Sequence, residues 1–240
     1  MRIVTEAGLV FELDESSALD IGSCVLDGVE IAPGSAVPDD GDARILHSVA
    51  GFLFTCGPDH KGHPGIAESR SGNIREIRAT MTVAIAQGGN ARIDRFWQVS
   101  EATGEVALTD TLTNIGDKAF PPLWMYHMNI GARLFGNETS LSGPTFEGGR
   151  IGWMFGEGDG HVFCVPAMEQ PEGGVAEVVL GPIPGAGGKS LTVRYFTDTL
   201  PHLQMWRNQV SPAHVLGIEP VSHPWKKRTE LADEGLMNLL

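Results

Sequence analysis

Apolar and polar residues alternate with a period of two along most of the chain, and helical periodicity is nearly absent. The clearest case is a pair of runs, IREIRATMTVAIAQ and ARIDRFWQVS, which are joined by the short turn GGN and predict a β-hairpin. About a dozen such runs alternate with turns rich in glycine and proline, and none predicts a helix longer than two turns. The pattern predicts an all-β fold, built as an antiparallel β-sandwich.

Two of the alternating runs carry an ionisable residue, His127 or Glu219, among apolar residues. KAFPPLWMYHMNIG predicts a strand that carries His127 between bulky apolar residues, and HVLGIEPV predicts a strand that carries Glu219 directly before a proline. Burial raises the pKa of a carboxylate and lowers that of an imidazole, which moves both toward neutrality, where proton transfer is efficient. Two readings follow from the residues alone: a catalytic acid and base, or two polar core residues satisfied separately.

Composition is consistent with one large folded domain. The 240 residues are 42% hydrophobic, and no change of composition or linker divides residues 1–240, which we assign to a single domain. The N-terminus has no apolar signal segment, and no later run is long enough to span a membrane. Cys24, Cys56 and Cys164 are widely spaced and have apolar neighbours, as reduced core thiols do, so we expect a cytoplasmic protein.

The net charge of the chain limits the kinds of partner that it can bind. Lysine and arginine number 17 against 30 aspartates and glutamates, which gives a formal charge of −13. Such a surface repels phosphate backbones and anionic lipids, so we expect neither a nucleic acid nor a membrane as partner.

A metal site is the competing interpretation around the segment PDHKGH. His60 and His63, with the preceding Asp59 and the more distant His47, offer ligand types that transition metals accept. The segment is broken by glycine and proline, however, and no second ligand pair has a diagnostic spacing. We therefore predict no metal.

A sugar-binding platform is predicted in the run PHLQMWRNQV. Trp206 has Gln204, Arg207 and Asn208 as neighbours in sequence, and an indole face flanked by hydrogen-bonding groups suits a sugar ring. No phosphate-binding glycine loop, nucleophile elbow or cysteine in a nucleophile context occurs in the chain.

Three motifs in this order, TCGPDH, YHMNIG and GIEP, resemble the aldose 1-epimerase family, and most closely its branch of galactose mutarotase-like proteins of unassigned substrate. The resemblance extends from about Gly8 to about Leu239. It implies an antiparallel β-supersandwich with an open cleft and a carbohydrate substrate. It also implies that the two anomers of a free sugar are interconverted without a cofactor or metal.

The resemblance assigns roles to individual residues. His127 matches the acid that protonates the ring oxygen, and Glu219 matches the base that takes the proton of the anomeric hydroxyl. The segment ESRSGN takes the place of a family stretch that begins with a sugar-binding histidine, so Glu68 stands where that histidine is expected. The residues assigned to sugar binding are Glu68, Arg70, Asn73, His60, Asn129, Gln204 and Trp206.

The departures from the family leave other functions open. Ionised Glu68 accepts hydrogen bonds but cannot donate them, which leaves room for a keto-sugar isomerase or lyase that uses the same acid and base. A non-catalytic carbohydrate-binding protein is the third reading. Relative to the family, the chain is expected to be truncated at both ends, which would leave exposed sheet edges and predicts a homodimer.

Overall fold

A computed structural model describes residues 1–34, 50–60, 64–85 and 88–240. The chain forms two compact units. The first unit comprises Met1–Gly28, Gly57–Pro122 and Asn238–Leu240, and the second comprises Val29–Cys56 and Leu123–Met237.

The first unit contains two groups of antiparallel strands. β1 to β3 follow one another in sequence and in space, and their bounds are Arg2–Val4, Leu9–Asp14 and Asp20–Leu26. β6 to β9 form a four-stranded meander, and their bounds are Gly65–Ser71, Ile74–Ile85, Gly89–Ser100 and Val106–Asn114. β7 and β8 are the hairpin that the alternation predicts, paired without a register shift from Ile74 opposite Ser100 to Ile85 opposite Gly89.

A buried arginine lies on the inner face of β8. Arg95 shares this face with Ile93 and Trp97, since alternate residues of the strand are buried. Its Nε and Nη2 donate to the two carboxylate oxygens of Asp110 at 2.8 and 2.7 Å, and its Nη1 donates to Asp20 Oδ1 at 2.7 Å. The guanidinium therefore compensates two carboxylates inside the unit.

The second unit contains five antiparallel strands that lie side by side in the order β5, β10, β17, β16, β13. Their bounds in that order are Leu53–Cys56, Met125–Gly131, Val215–Val221, His202–Asn208 and Gly160–Pro166. A separate four-stranded sheet has the order β12, β11, β14, β15, with bounds Arg150–Gly152, Ser140–Ser142, Val175–Ile183 and Lys189–Phe196. The remaining elements are β4 (Val29–Glu30), the short helix α1 (Arg228–Asp233) and the 3-10 turns Ala132–Leu134, Glu147–Gly149 and Pro184–Ala186.

The two faces of β16 differ in exposure, and this difference positions the site. Leu203, Met205 and Arg207 are buried, whereas the alternate residues Gln204 and Trp206 are half-buried. Because adjacent side chains of a strand point to opposite faces, one face of β16 belongs to the core and the other is partly open to solvent.

Several strand predictions need correction in detail. The strand that carries His127 begins at Met125 and not at Lys118, because Pro121 and Pro122 cannot donate ladder hydrogen bonds. The structure has seventeen strands in its described part, more than the dozen expected, and β6 is among those the pattern missed. Among the described residues, no helix is long and apolar enough to cross a membrane. The assignment of a single domain stays a prediction.

Candidate active site

Strand register brings the two predicted proton-transfer residues together. β10 and β17 pair antiparallel, with Met125 opposite Val221 and Met128 opposite Ile218. This register sets His127 opposite Glu219, on the same face of the sheet. On the other side of β17, Glu219 lies opposite Gln204 of β16. The three polar side chains therefore form one row across three neighbouring strands.

The imidazole and the carboxylate are in direct contact. His127 Nε2 lies 3.1 Å from Glu219 Oε1. The histidine side chain keeps 10% of its surface exposed, whereas the glutamate side chain has none. Among the described residues, Glu219 Oε1 and His127 Nδ1 are buried and have no hydrogen-bond partner. The 3.1 Å contact between His127 Nε2 and Glu219 Oε1 therefore lacks the alignment of a hydrogen bond. Buried polar atoms without a partner are rare, and they call for a functional explanation.

The other carboxylate oxygen of Glu219 is held by Gln204. The amide Nε2 donates to Oε2 at 2.5 Å and lies 3.8 Å from Met125 Sδ. One oxygen of Glu219 is thus fixed by an amide, while the other faces the imidazole. Trp206, two residues along β16, meets the ring of His127 edge to face with 5.6 Å between ring centroids.

A glycine makes room for this pair. Gly217 precedes Glu219 by two residues on β17, so both project to the same face of the sheet. A Cβ at Gly217 would lie 2.5 Å from Glu219 Oε1 and 3.1 Å from His127 Cε1. Gly217 was not among the predicted site residues, although its position two residues before Glu219 in GIEP is the signal that could have found it.

Replacing Gly217 with alanine is expected to lower any activity of the site at least about tenfold, since a Cβ forces the carboxylate and the imidazole out of their present positions. Overpacking of this kind also costs about 1–3 kcal/mol of unfolding free energy. The matched control is Gly22→Ala, because a Cβ at this glycine of β3 meets no atom within 4 Å. Turnover and urea unfolding of both variants measure the effect; equal activity of the two would contradict this role.

Three further titratable groups lie on β16, just after β17, and on β13, which pairs with β16. His202 precedes Gln204 by two residues on β16, and His223 follows the end of β17. Burial lowers the pKa of His202, and burial together with the neighbouring His202 lowers the pKa of His223. On β13, burial raises the pKa of the Cys164 thiol, a backbone hydrogen bond at Trp225 opposes the shift, and the Glu219 carboxylate adds to it. This cysteine is therefore a weak nucleophile at neutral pH.

The two histidines predict how stability depends on pH. Their folded-state pKa values lie below the unfolded value of about 6.5, so the unfolded state binds more protons as the pH falls below that value. Above about pH 6.5 both histidines are neutral in the folded and in the unfolded state, so they do not change the free energy of unfolding. Below that pH the unfolded state takes up protons that the folded state does not, and the free energy of unfolding falls. Urea midpoints of the wild type are expected to fall between pH 7.5 and 5.5, by more than those of a His202→Gln/His223→Gln variant. Equal declines would contradict the assignment.

Other predicted sugar ligands have contacts within the protein. Asn129 is completely buried, and its amide donates to the backbone oxygen of Gly51 at 3.1 Å. The expectation that Arg207 flanks Trp206 is wrong, because alternation places Arg207 on the opposite, buried face of β16. There its guanidinium donates to the backbone oxygens of Phe155, Glu157 and Gly158.

The remaining predicted ligands lie in the first unit. His60 Nδ1 is 3.1 Å from Ser17 Oγ and 3.6 Å from Asp20 Oδ2. Arg70 and Glu68 lie on β6, and Asn73 lies in the exposed turn that follows it. Their assignment to sugar binding stays a prediction, as does that of His60.

The metal alternative gains no support from the described part of the chain. Among those residues, no group of three or more histidine, cysteine, aspartate or glutamate side chains could hold a metal ion. His47 and His63, two of the proposed ligands, lie outside the described residues. The prediction of no cofactor remains an expectation.

Comparison with known proteins supports the fold. No family model and no curated protein matches the sequence. A putative aldose 1-epimerase from Klebsiella pneumoniae subsp. pneumoniae MGH 78578 superposes with a TM-score of 0.72 at 16% identity, over 98% of this chain and 73% of its own. The Slr1438 protein from Synechocystis sp. PCC 6803 has a TM-score of 0.62 at 12% identity, over 100% of this chain and 90% of its own.

A galactose mutarotase-like protein from Lactobacillus casei ATCC 334 has a TM-score of 0.52 at 11% identity, over 93% of this chain and 88% of its own. The protein therefore has the galactose mutarotase-like fold, and the predicted all-β, antiparallel class is confirmed. Identities this low establish the fold and not the reaction.

Proposed function

We propose that the protein is a cofactor-independent sugar mutarotase in which His127 is the acid and Glu219 is the base. The observation that carries the proposal is the contact between the two side chains, 3.1 Å apart, with Glu219 Oε1 buried and without a hydrogen bond. Such an acceptor is ready to take a proton from a hydroxyl group. The similar folds of proteins named as epimerases and mutarotase-like proteins support the same class of reaction.

The distance of 3.1 Å between His127 Nε2 and Glu219 Oε1 suits the chemistry of anomer exchange. A proton must leave the anomeric hydroxyl while another reaches the ring oxygen, and both oxygens are bonded to the same carbon. An acid and a base one hydrogen-bond length apart can therefore serve both oxygens together. The Glu219 carboxylate takes the hydroxyl proton, and the His127 imidazolium protonates the ring oxygen as its bond to C1 breaks. Rotation about C1–C2, reclosure and return of the two protons then give the other anomer.

The surroundings of the pair fit a small polyol. Gln204 and Trp206 lie on the same half-open face of β16, and they offer an amide and an indole next to the imidazole. A sugar entering from this face meets His127 first, since the side chain of Glu219 has no exposed surface. It reaches Oε1 by displacing the edge of the imidazole, and it reaches Oε2 by displacing the amide of Gln204. We expect these displacements to contribute to selectivity for one sugar class.

The direct test uses freshly dissolved single anomers of several aldoses, followed by polarimetry with and without the protein. The expected result is an enzyme-dependent rate for at least one sugar. A parallel series of keto sugars and uronic acids, followed by ¹H NMR, examines proton abstraction beside a carbonyl. Turnover in this second series alone would replace the mutarotase proposal with an isomerase or lyase. Saturable sugar binding without turnover in either would identify a carbohydrate-binding protein.

A further inference from the structure

β6 presents a long, regular strand edge to solvent. Its pairing with β7 runs without a bulge from Gly65 opposite Thr80 to Ser71 opposite Ile74. Six of its seven residues are exposed, and only Ile66 is half-buried. Among the described strands, none pairs with its other edge. Proline, a bulge or charged side chains can protect such an edge from pairing with another chain. Gly65–Ser71 has no proline and no bulge, and its charges are those of Glu68 and Arg70.

The charges of β6 are complementary to those of a second copy. Glu68 and Arg70 are two residues apart and therefore lie on the same face of the strand. When two copies of β6 pair antiparallel about a two-fold axis through Ser69, Glu68 of each copy lies opposite Arg70 of the other. Axes through Glu68 or through Arg70 place like charges opposite each other, which is unfavourable. The sequence ESR therefore favours one register.

The existing ion pairs extend this complementarity. Within one copy, Glu68 Oε1 lies 2.9 Å from Arg75 Nε, and Arg70 Nη2 lies 3.0 Å from Glu101 Oε1. Within one copy Arg75 lies directly opposite Arg70, but each of these arginines is paired with a different carboxylate. Pairing about Ser69 would place Glu68 of one copy, which contacts Arg75, beside Arg70 of the other, which contacts Glu101, so that the contacting charges alternate in sign. Each β6 charge then gains a second neighbour of opposite sign. Networks of this kind contribute more than isolated exposed pairs.

We propose that β6 is a homodimer interface, in which the β6–β9 sheets of two copies join edge to edge with Ser69 on the two-fold axis. The interface uses backbone hydrogen bonds of the free edge for affinity and the Glu68 and Arg70 side chains for register. It lies entirely within the first unit and does not depend on the function proposed for the His127 and Glu219 pair. An experiment that excludes one of the two proposals therefore leaves the other unaffected.

Charge reversal with mixing of variants tests the interface. Sedimentation velocity at micromolar concentration is expected to show a dimer for the wild type. Glu68→Arg and Arg70→Glu each place two like-charge contacts in the homodimer, and each is expected to weaken dimerisation at least about tenfold. An equimolar mixture of the two variants restores opposite charges at both contacts and is expected to form a heterodimer. Recovery in the mixture cannot arise from misfolding of either variant.

The matched control is Arg78→Glu, which reverses an exposed charge of the neighbouring strand β7 outside this row and is expected to remain dimeric. The proposal would be overturned by a monomeric wild type, by dimers of both single variants, or by a mixture that stays monomeric. Monomeric Arg78→Glu would also overturn it, because net charge and not pairing at β6 would then govern assembly.

Discussion

Replacing Glu219 with glutamine is expected to reduce the enzyme-dependent rate of anomer exchange by about a hundred- to ten-thousand-fold. Glutamine keeps the shape of the side chain and an oxygen that can accept the hydrogen bond of Gln204, but it cannot take the proton of the anomeric hydroxyl. His127→Gln is expected to cost a similar factor because it removes the acid. If the two groups act as a unit, the double variant loses little more than either single variant.

The fold of the Glu219→Gln variant is expected to be intact, because the substitution removes a fully buried carboxylate and keeps a hydrogen-bonding group in its place. Urea unfolding should therefore give a free energy within about 1 kcal/mol of the wild-type value. Glu177→Gln, on the half-exposed side of β14, is the control for removal of a carboxylate. A Glu219→Gln variant that keeps more than a third of the wild-type rate would contradict the role of the base.

Replacing Arg95 with methionine is expected to lower the unfolding free energy by about 3–5 kcal/mol. The guanidinium makes hydrogen bonds to the carboxylates of Asp20 and Asp110, and both of these side chains are almost completely buried. Methionine fills a similar volume but leaves the two carboxylates without their common cation. Arg95→Lys keeps the charge and loses the two-point contact with Asp110, so we expect an intermediate loss.

The control for Arg95 lies on the same strand. Arg92 pairs with Asp94 on the exposed face of β8, and an exposed ion pair contributes less than about 1 kcal/mol. Urea titrations of Arg92→Met and Arg95→Met at neutral pH compare the two faces directly. Losses that agree within 1 kcal/mol would show that the buried cluster does not stabilise the unit in the way described.

Alternation in the sequence predicted the hairpin of β7 and β8. The buried position of Arg95 was not predicted, although the run ARIDRFWQVS places it on the same face as Ile93 and Trp97, and that face is buried in the structure. The strands that carry His127 and Glu219 were also predicted, and their contact follows from antiparallel pairing of β10 with β17. Long-range register, however, is not written in either strand alone, so the pairing of these residues came from the family resemblance and not from periodicity.

Other features lay beyond the sequence pattern for identifiable reasons. Neither face of β6 is buried, so apolar and polar residues do not alternate in its sequence GIAESRS. Arg207 looked like a companion of Trp206 because the two are adjacent in sequence, but adjacent residues of a strand face opposite ways. The role of Gly217 depends on atoms of β10 that approach it only in the folded sheet.

The most direct test of the catalytic proposal is exchange spectroscopy by NMR on equilibrated sugars. Cross peaks between the H1 signals of the α and β anomers report their interconversion without any coupling enzyme. For at least one aldose, the wild type should produce exchange peaks that are absent with buffer and with Glu219→Gln or His127→Gln at the same concentration. Exchange of equal intensity for the wild type and both variants, or none for any sugar, would contradict the assignment of His127 and Glu219 as acid and base.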